Sequence, residues 1–392
     1  MPEAGLVGLG PTRAARNAVG LSFFLNGLCF ATWVSRIPEV RDRLDLSNGE
    51  LGALLLALAA GSVLSLPTTG ALINGFGTVR VVRLGGSSAA TGLLLAGLGA
   101  GVTGQVALTA VGLFCYGVGT GVWDVAMNVE GAAVEHELAR TVMPRFHAGF
   151  SVGTVLGAAV GALLVALGAP MLLHLGAVAV GALAVSWVTS RAFLPVPPEP
   201  EGRASAGSAW LEPRTLLIGL MVMALALTEG TANDWLALAL VDGYDVERWV
   251  GVAGFAVFVT AMTAGRLAGP VLLDRFGRPV VLWATMGAAG LGVLLIVFGG
   301  GPVPVVAGIV LWGVGASLGF PVGMSAAADD PVQAAARVSV VSTIGYAAFL
   351  AGPPLLGFVA DQVGTLQALL VVAVLLIPSA LVVPAARRRD PQ

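Results

Sequence analysis

Residues 249 to 300 read WVGVAGFAVFVTAMTAGRLAGPVLL, then DRFGR, then PVVLWATMGAAGLGVLLIVFGG. Two apolar runs, 249–273 and 279–300, are separated by a five-residue stretch in which three side chains are charged. About 20 helical residues at ~1.5 Å each cross ~30 Å of hydrocarbon, so each run is long enough to span a bilayer. The charged stretch turns the chain back at the membrane surface. Outward from this segment the same alternation fills the sequence. The runs 18–36, 51–73, 80–102, 105–129, 147–168 and 171–191 precede it, with 215–240 immediately before, and 303–326, 338–360 and 365–385 follow. Composition agrees: of 392 residues 57% are hydrophobic and 11% charged, with a mean hydropathy of +0.91. A soluble domain needs about 25% charged residues to keep its surface wet.

Twelve runs joined by short connections predict an all-α membrane protein, because backbone groups in lipid must be paired within their own segment. The one long polar interruption, Arg191 to Arg214, carries Pro195, Pro197, Pro198 and Pro200 and then a Gly/Ser/Ala stretch. It divides the chain into a six-helix bundle at 1–191, a linker at 192–214 and a second six-helix bundle at 215–392. Inward-facing loops collect Arg. With a cytoplasmic N-terminus, sixteen arginines lie inside and four (Arg36, Arg41, Arg43 and Arg248) outside. Both termini and the linker are therefore expected in the cytoplasm of a bacterial inner-membrane protein. Arg13 and Arg16 precede the first run as in a signal peptide, but no small-residue cleavage site follows, so the run is read as a retained helix.

Some chemistries are excluded. The formal net charge is -2 and no concentrated basic surface exists to hold nucleic acid. All 20 basic residues are Arg, so a phosphate-binding loop with its Lys cannot occur, and energy must come from an ion gradient. The two cysteines, Cys29 and Cys115, fall in apolar runs as small buried side chains. No metal site, cofactor or catalytic residue is expected.

The loop Asp274-Arg275-Phe276-Gly277-Arg278, preceded by Arg266 and Gly269, has a counterpart two hundred residues earlier in Asn74-Gly75-Phe76-Gly77-Thr78. Each lies between the second and third runs of its half. The first resembles the signature loop of the major facilitator superfamily, Gly, three or four residues, then Asp-Arg-x-Gly-Arg. In the second copy Asn74 replaces the acid and Gly75 and Thr78 replace the bases. The resemblance covers the whole chain through its twelve runs and central linker. It implies a fold of two pseudo-symmetric halves, and a conformational latch at Asn74, Gly77, Arg266, Asp274, Arg275, Gly277 and Arg278. The degenerate N-terminal copy puts the strength of its latch in doubt. The fourth run, with Trp123-Asp124-Val125-Ala126-Met127-Asn128, and the seventh, with Glu229-Gly230 and Asn233-Asp234-Trp235, are similar to poorly characterised bacterial transporters related to proton-coupled sugar symporters. Gly149, Gly153, Gly157 and Gly161 match only half of a drug-antiporter signature, without its Pro, and are more simply read as close helix packing.

Ionisable groups inside a membrane are costly and are functional candidates by default. Asp124, Glu130, Glu229 and Asp234 all lie on helices four and seven, which the resemblance implies line a central cavity together with helices one and ten. Glu229 is the fifteenth residue of its run, near the bilayer centre. A water-exposed Glu titrates near 4.3, but desolvation can raise a buried carboxyl by up to about 3 to 5 units, into the range where protonation follows cavity exposure. Glu229 is thus the first candidate for proton coupling and Asp124 the second. For Asp124 the alternative is a packed hydrogen-bond pair with Asn128, and for Glu130 an ion pair with Arg140, Arg145 or Arg80. Asn26, Asn128, Asn233, Trp123, Trp312 and Tyr116 are candidates for binding a solute by amide hydrogen bonds and ring stacking, against the alternative that the aromatics only fill the core. No Arg is expected near the bilayer centre, with Arg266 at the inner end of helix eight, which favours neutral or cationic solutes. His147 and His174 read as structural.

The expected function is a monomeric, proton-coupled secondary transporter that moves a small neutral polar solute such as a sugar by alternating access. Its partners are the solute, protons and the lipid bilayer. The alternative is proton-driven efflux of lipophilic or cationic compounds; more remote ones are a membrane-embedded enzyme and a transporter-like sensor without flux.

Overall fold

The computed structural model describes residues 9–138, 142–194, 209–327, 329 and 333–387. Every regular element among those residues is a helix. In chain order the helices are α1 Leu9–Val34, α2 Ile37–Arg43, α3 Asn48–Leu98, α4 Val106–Leu138, α5 Met143–Ala166, α6 Met171–Thr189, α7 Pro213–Tyr244, α8 Arg248–Phe298, α9 Pro302–Ala316, α10 Gly319–Ala327, α11 Ala334–Val363, α12 Thr365–Ala368 and α13 Leu370–Val382. Ten segments of the described residues are long and apolar enough to cross a membrane. The central part of the linker, 195–208, lies outside the described residues, as does Arg140.

Two of the helices, α3 and α8, are 51 residues long, and each is broken internally by one glycine in a non-helical conformation. Gly77 has φ 77° and ψ 159°, and Gly277 has φ 75° and ψ 162°. Positive φ at these values is open to glycine and strained for residues with a Cβ. Other positive-φ residues recur with a similar offset, Asp45 with Asp245, Gly104 with Gly300 and Gly168 with Gly364, about 200 residues apart. The turn chemistry of the chain is therefore repeated, although the side chains around it are not.

Contacts divide the chain into two compact units. Unit 1 is Met1–Arg36, Asp42–Leu44 and Ala57–Pro200; unit 2 is Ile37–Arg41, Asp45–Leu56 and Glu201–Gln392. The grouping departs from boundaries drawn at the linker alone, because Ile37–Arg41 of α2 and the first turns of α3 go with unit 2. The carboxylate of Asp361 accepts the backbone N–H groups of Asn48 and Gly49 at 3.0 and 2.8 Å, supplying the N-terminus of α3 with partners its own helix lacks. Arg41 forms a two-pronged ion pair with Asp242, to which the Thr365 hydroxyl also donates.

In unit 1, α1 packs along α5 through the four-residue glycine series. A Cβ on Gly153 would lie 2.0 Å from the Phe24 carbonyl oxygen, one on Gly157 2.8 Å from that of Leu28, and one on Gly161 2.4 Å from the Ser35 side chain. The series is a close-packing stripe, as small residues in membrane helices commonly are. In unit 2, α8 and α9 meet in the same way at Gly292 and Gly308, and α7 lies against α11, with Gly219 against Ile344.

Candidate functional site

Within unit 1 the polar candidates stand on α1 and α4. Asp124 and Asn128, one turn apart, face the same way. The Asn128 amide donates to the Asp124 carbonyl at 2.8 Å and reaches its carboxylate at 3.4 Å. This is the local pair weighed against a functional role for Asp124, whose side chain is only half-buried. Trp123 donates its indole N–H to the Ser22 hydroxyl at 2.7 Å and so ties α4 to α1. Tyr116 and Asn26 are buried, and the Tyr116 hydroxyl and the Asn26 Nδ2 have no hydrogen-bond partner. Such orphaned groups cost about 1–3 kcal/mol each when left dry.

Glu130 is fully buried and forms an ion pair with neither Arg80 nor Arg145; Arg140, the third candidate, lies outside the described residues. One carboxylate oxygen accepts from the Thr78 hydroxyl at 2.7 Å, the other from the backbone N–H of Leu194. The equivalent loop position in unit 2 is Arg278, which donates to Asp329 at 2.7 Å and to the Ser325 hydroxyl at 2.8 Å. Asp329 also accepts from Arg214 at 2.8 Å. Each unit thus ties the residue after its loop glycine to an acid beyond. In the degenerate copy a neutral hydroxyl replaces the guanidinium. Asp274 and Asn74 hydrogen-bond no described side chain, and Arg275 lies over the ring of Phe276 at 5.2 Å.

Within unit 2 the structure corrects the expectation that no Arg reaches the depth of Glu229. Arg266 donates through one terminal nitrogen to both carboxylate oxygens of Glu229, at 3.0 Å each, and through Nε to the Ser317 carbonyl at 3.4 Å. The backbone of Arg266 stands eleven residues before the break at Gly277 in α8, but its long side chain spans more than a helical turn. Arg266, expected above to belong to the loop latch, forms an ion pair with Glu229. Trp312 is fully buried and meets Phe258 edge-on, ring centroids 5.6 Å apart, as a core aromatic does. Asn233 is buried with its side-chain oxygen unpartnered.

Two features escaped the sequence reading. A cavity of about 210 Å³ opens between α7 and α11, and Asp234 lines it. Arg36, expected at the outer end of helix one, is fully buried and donates to Nδ1 of His174 at 3.0 Å. The adjacency of Arg36 and His174, far apart in the chain, has no sequence signal. Among the described residues no cluster of His, Cys, Asp and Glu could hold a metal ion.

Comparison with known proteins supplies context for this geometry. A profile of the Major Facilitator Superfamily matches residues 19–339 and 249–392. The uncharacterized transporter y4wD of Sinorhizobium fredii is 35% identical over 346 residues, covering 88% of this chain and 90% of that protein. An uncharacterized MFS-type transporter of Yersinia pestis is 33% identical, covering 87% and 88%. Among solved structures, a mutant of the nucleoside transporter NupG superposes with a TM-score of 0.80 at 14% identity, over 95% of this chain and 99% of that one. A variant of the Escherichia coli fucose:proton symporter FucP does so with a TM-score of 0.67 at 16% identity, over 95% and 98%.

Proposed function

The chain belongs to the Major Facilitator Superfamily and is a membrane transporter, and from that premise we propose that it moves a small neutral polar solute across the bacterial inner membrane coupled to protons. The observation that carries the reading is a set of three carboxyls, Asp124, Glu229 and Asp234, held on membrane-spanning α4 and α7. Such groups are retained in a membrane at a cost that a purely structural helix does not need. Glu229 and Asp124 are the coupling carboxyls of this reading. Protonating Glu229 would cancel its attraction for Arg266 and free the guanidinium, which gives the proton a mechanical consequence. Asn26, Tyr116 and Asn128 in unit 1, and Asn233 and Trp312 in unit 2, supply amides, a hydroxyl and rings to a solute, with Trp123 held in place by Ser22.

Twelve crossings, six in each half, follow if α3 and α8 are each two helices joined at Gly77 and Gly277. A monomer with both termini in the cytoplasm completes the reading. The named functions of the structural neighbours, nucleoside transport and fucose:proton symport, make nucleosides and sugars the first solutes to try.

The test is thermal-shift screening of the purified protein against nucleosides, sugars and organic cations, followed by accumulation in proteoliposomes under an imposed pH gradient. A ligand that binds only the folded state raises its stability. Stabilisation by a nucleoside or sugar and uphill uptake of that solute support the proposal. Stabilisation only by organic cations, with outward pumping, would replace it with proton-driven efflux.

A further inference from the structure

We propose that Asp234 is a proton-binding site of this transporter, distinct from Glu229 and loaded from the cavity between α7 and α11. The inference rests on the reading of proton coupling given above and adds to it a residue and a route.

Asp234 stands five residues beyond Glu229 on α7, about 7.5 Å along the helix axis. The two carboxyls have opposite surroundings. Glu229 is neutralised by Arg266, both oxygens engaged at 3.0 Å, so its ionised form already has its counter-charge. Asp234 has no hydrogen bond or ion pair to any described residue. It faces a cavity lined by Gly230 and Thr231 from its own helix and by Phe349, Gly352 and Pro353 from α11. An ionised carboxylate there has given up part of its hydration with no counter-charge in exchange, a cost that one bound proton removes.

The ionisable neighbours on every element packed against α7 in this unit leave that conclusion standing. On α7 itself, Asp242 is bound by Arg41 and Glu229 by Arg266. On α8 the membrane-embedded cation is Arg266; on α11 Arg337 donates to Glu212, Asp361 accepts from the backbone of Asn48 and Gly49, and the Tyr346 ring packs 6.2 Å from that of Phe349. Helices α9, α10, α12 and α13 carry no titratable side chain. Among the described residues of this unit no cation is placed to neutralise Asp234.

Two further observations favour a proton over a larger occupant. The cavity is small, about 210 Å³ even with open space included, and leaves room for little beyond water-sized occupants. The Thr231 hydroxyl, on the same face one turn before Asp234, is buried and has no partner. It can accept from the protonated acid or donate to the carboxylate, which suits a group that alternates between the two states.

The experiment uses dicyclohexylcarbodiimide on the full-length protein in proteoliposomes, with adducts mapped by mass spectrometry. This apolar reagent adds the protonated carboxyl across its C=N bond, so the acid proton goes to nitrogen and the carboxyl oxygen to carbon. Adduct on Asp234 should rise by about threefold or more between about pH 8.5 and about pH 5.5, because the reagent takes only the protonated form. Labelling of the peptide should vanish in Asp234→Asn and persist in Glu229→Gln. Absence of the Asp234 adduct across the whole range in wild-type protein, or an adduct independent of pH, would overturn the proposal without reliance on any variant folding. Normal Asp234 labelling in a protein that moves no protons with any solute would instead count against the transport reading, and leave the proton site in place.

Discussion

At the residue scale the Glu229–Arg266 pair makes the firmest prediction. The two side chains keep 20% and 28% of their surface, so the pair lies between an exposed bridge, worth ~0–1 kcal/mol, and a buried one, whose breakage costs ~3–5. Glu229→Gln and Arg266→Gln should each lower stability by about 1–2 kcal/mol, and the double variant by clearly less than their sum. Thermal unfolding of the four proteins in one detergent measures this coupling, and strict additivity would show that the pair contributes nothing. A second residue lies outside the spans. Glu212 accepts from Arg337 at 2.7 Å and from Thr215, and the Arg337 hydrogen bond holds its carboxyl below the ordinary range. A depressed folded-state value means that this contribution is full above the unfolded pKa, near 4.3, and is lost as pH falls through the folded one. Stability should therefore fall with acid below about pH 4.3 more steeply in wild type than in Glu212→Gln, measured by midpoint against pH. The sequence made Glu229 legible because an acid fifteen residues into an apolar run is conspicuous. Arg266 was misplaced because counting along a run locates the backbone, while a guanidinium acts at the end of a long chain. Glu130 and Arg36 show the same limit from another side, since their partners Thr78, Leu194 and His174 are distant in the chain.

At the scale of elements the α1–α5 contact is set by backbone approach. A Cβ at Gly153 would sit 2.0 Å from a carbonyl oxygen on α1, a distance that only separation of the helices relieves. Gly153→Ala should therefore be strongly destabilising. Gly181→Ala on α6, where nothing lies within 4 Å, should be neutral or gain up to ~1 kcal/mol from helix propensity. Equal thermal shifts for the two variants would refute the close-packing role of the stripe. The glycine spacing was readable because a period of four marks one helix face, but which helix it met was not, since any apolar neighbour satisfies the same pattern. The loop glycines were readable for a different reason. The pattern around Gly277 repeats at Gly77, and positive φ at both explains why glycine persists where the surrounding charges do not.

At the scale of the whole molecule the crossing number decides which surfaces face the cytoplasm. As single rods, α3 and α8 would each measure about 77 Å, more than twice the ~30 Å of hydrocarbon they would cross. Folding back at Gly77 and Gly277 gives two crossings of ordinary length from each. The alternatives differ in parity. With twelve crossings and a cytoplasmic N-terminus, the linker is cytoplasmic and Gly104 and Gly168 lie outside. With ten, everything from Gly104 to Asp245 changes side, which would carry Arg140, Arg145, Arg191, Arg203 and Arg214 outward against the retention of basic loops on the inner face. We therefore expect reporter fusions in the 195–208 segment and after Arg387 to be active only as cytoplasmic markers. Those at Gly104, Gly168 and Gly300 should be active only as periplasmic ones. The linker fusion carries the decision, because the C-terminus is cytoplasmic under either count and cannot separate them. An alkaline-phosphatase fusion active in the linker would convert α3 from two crossings to one.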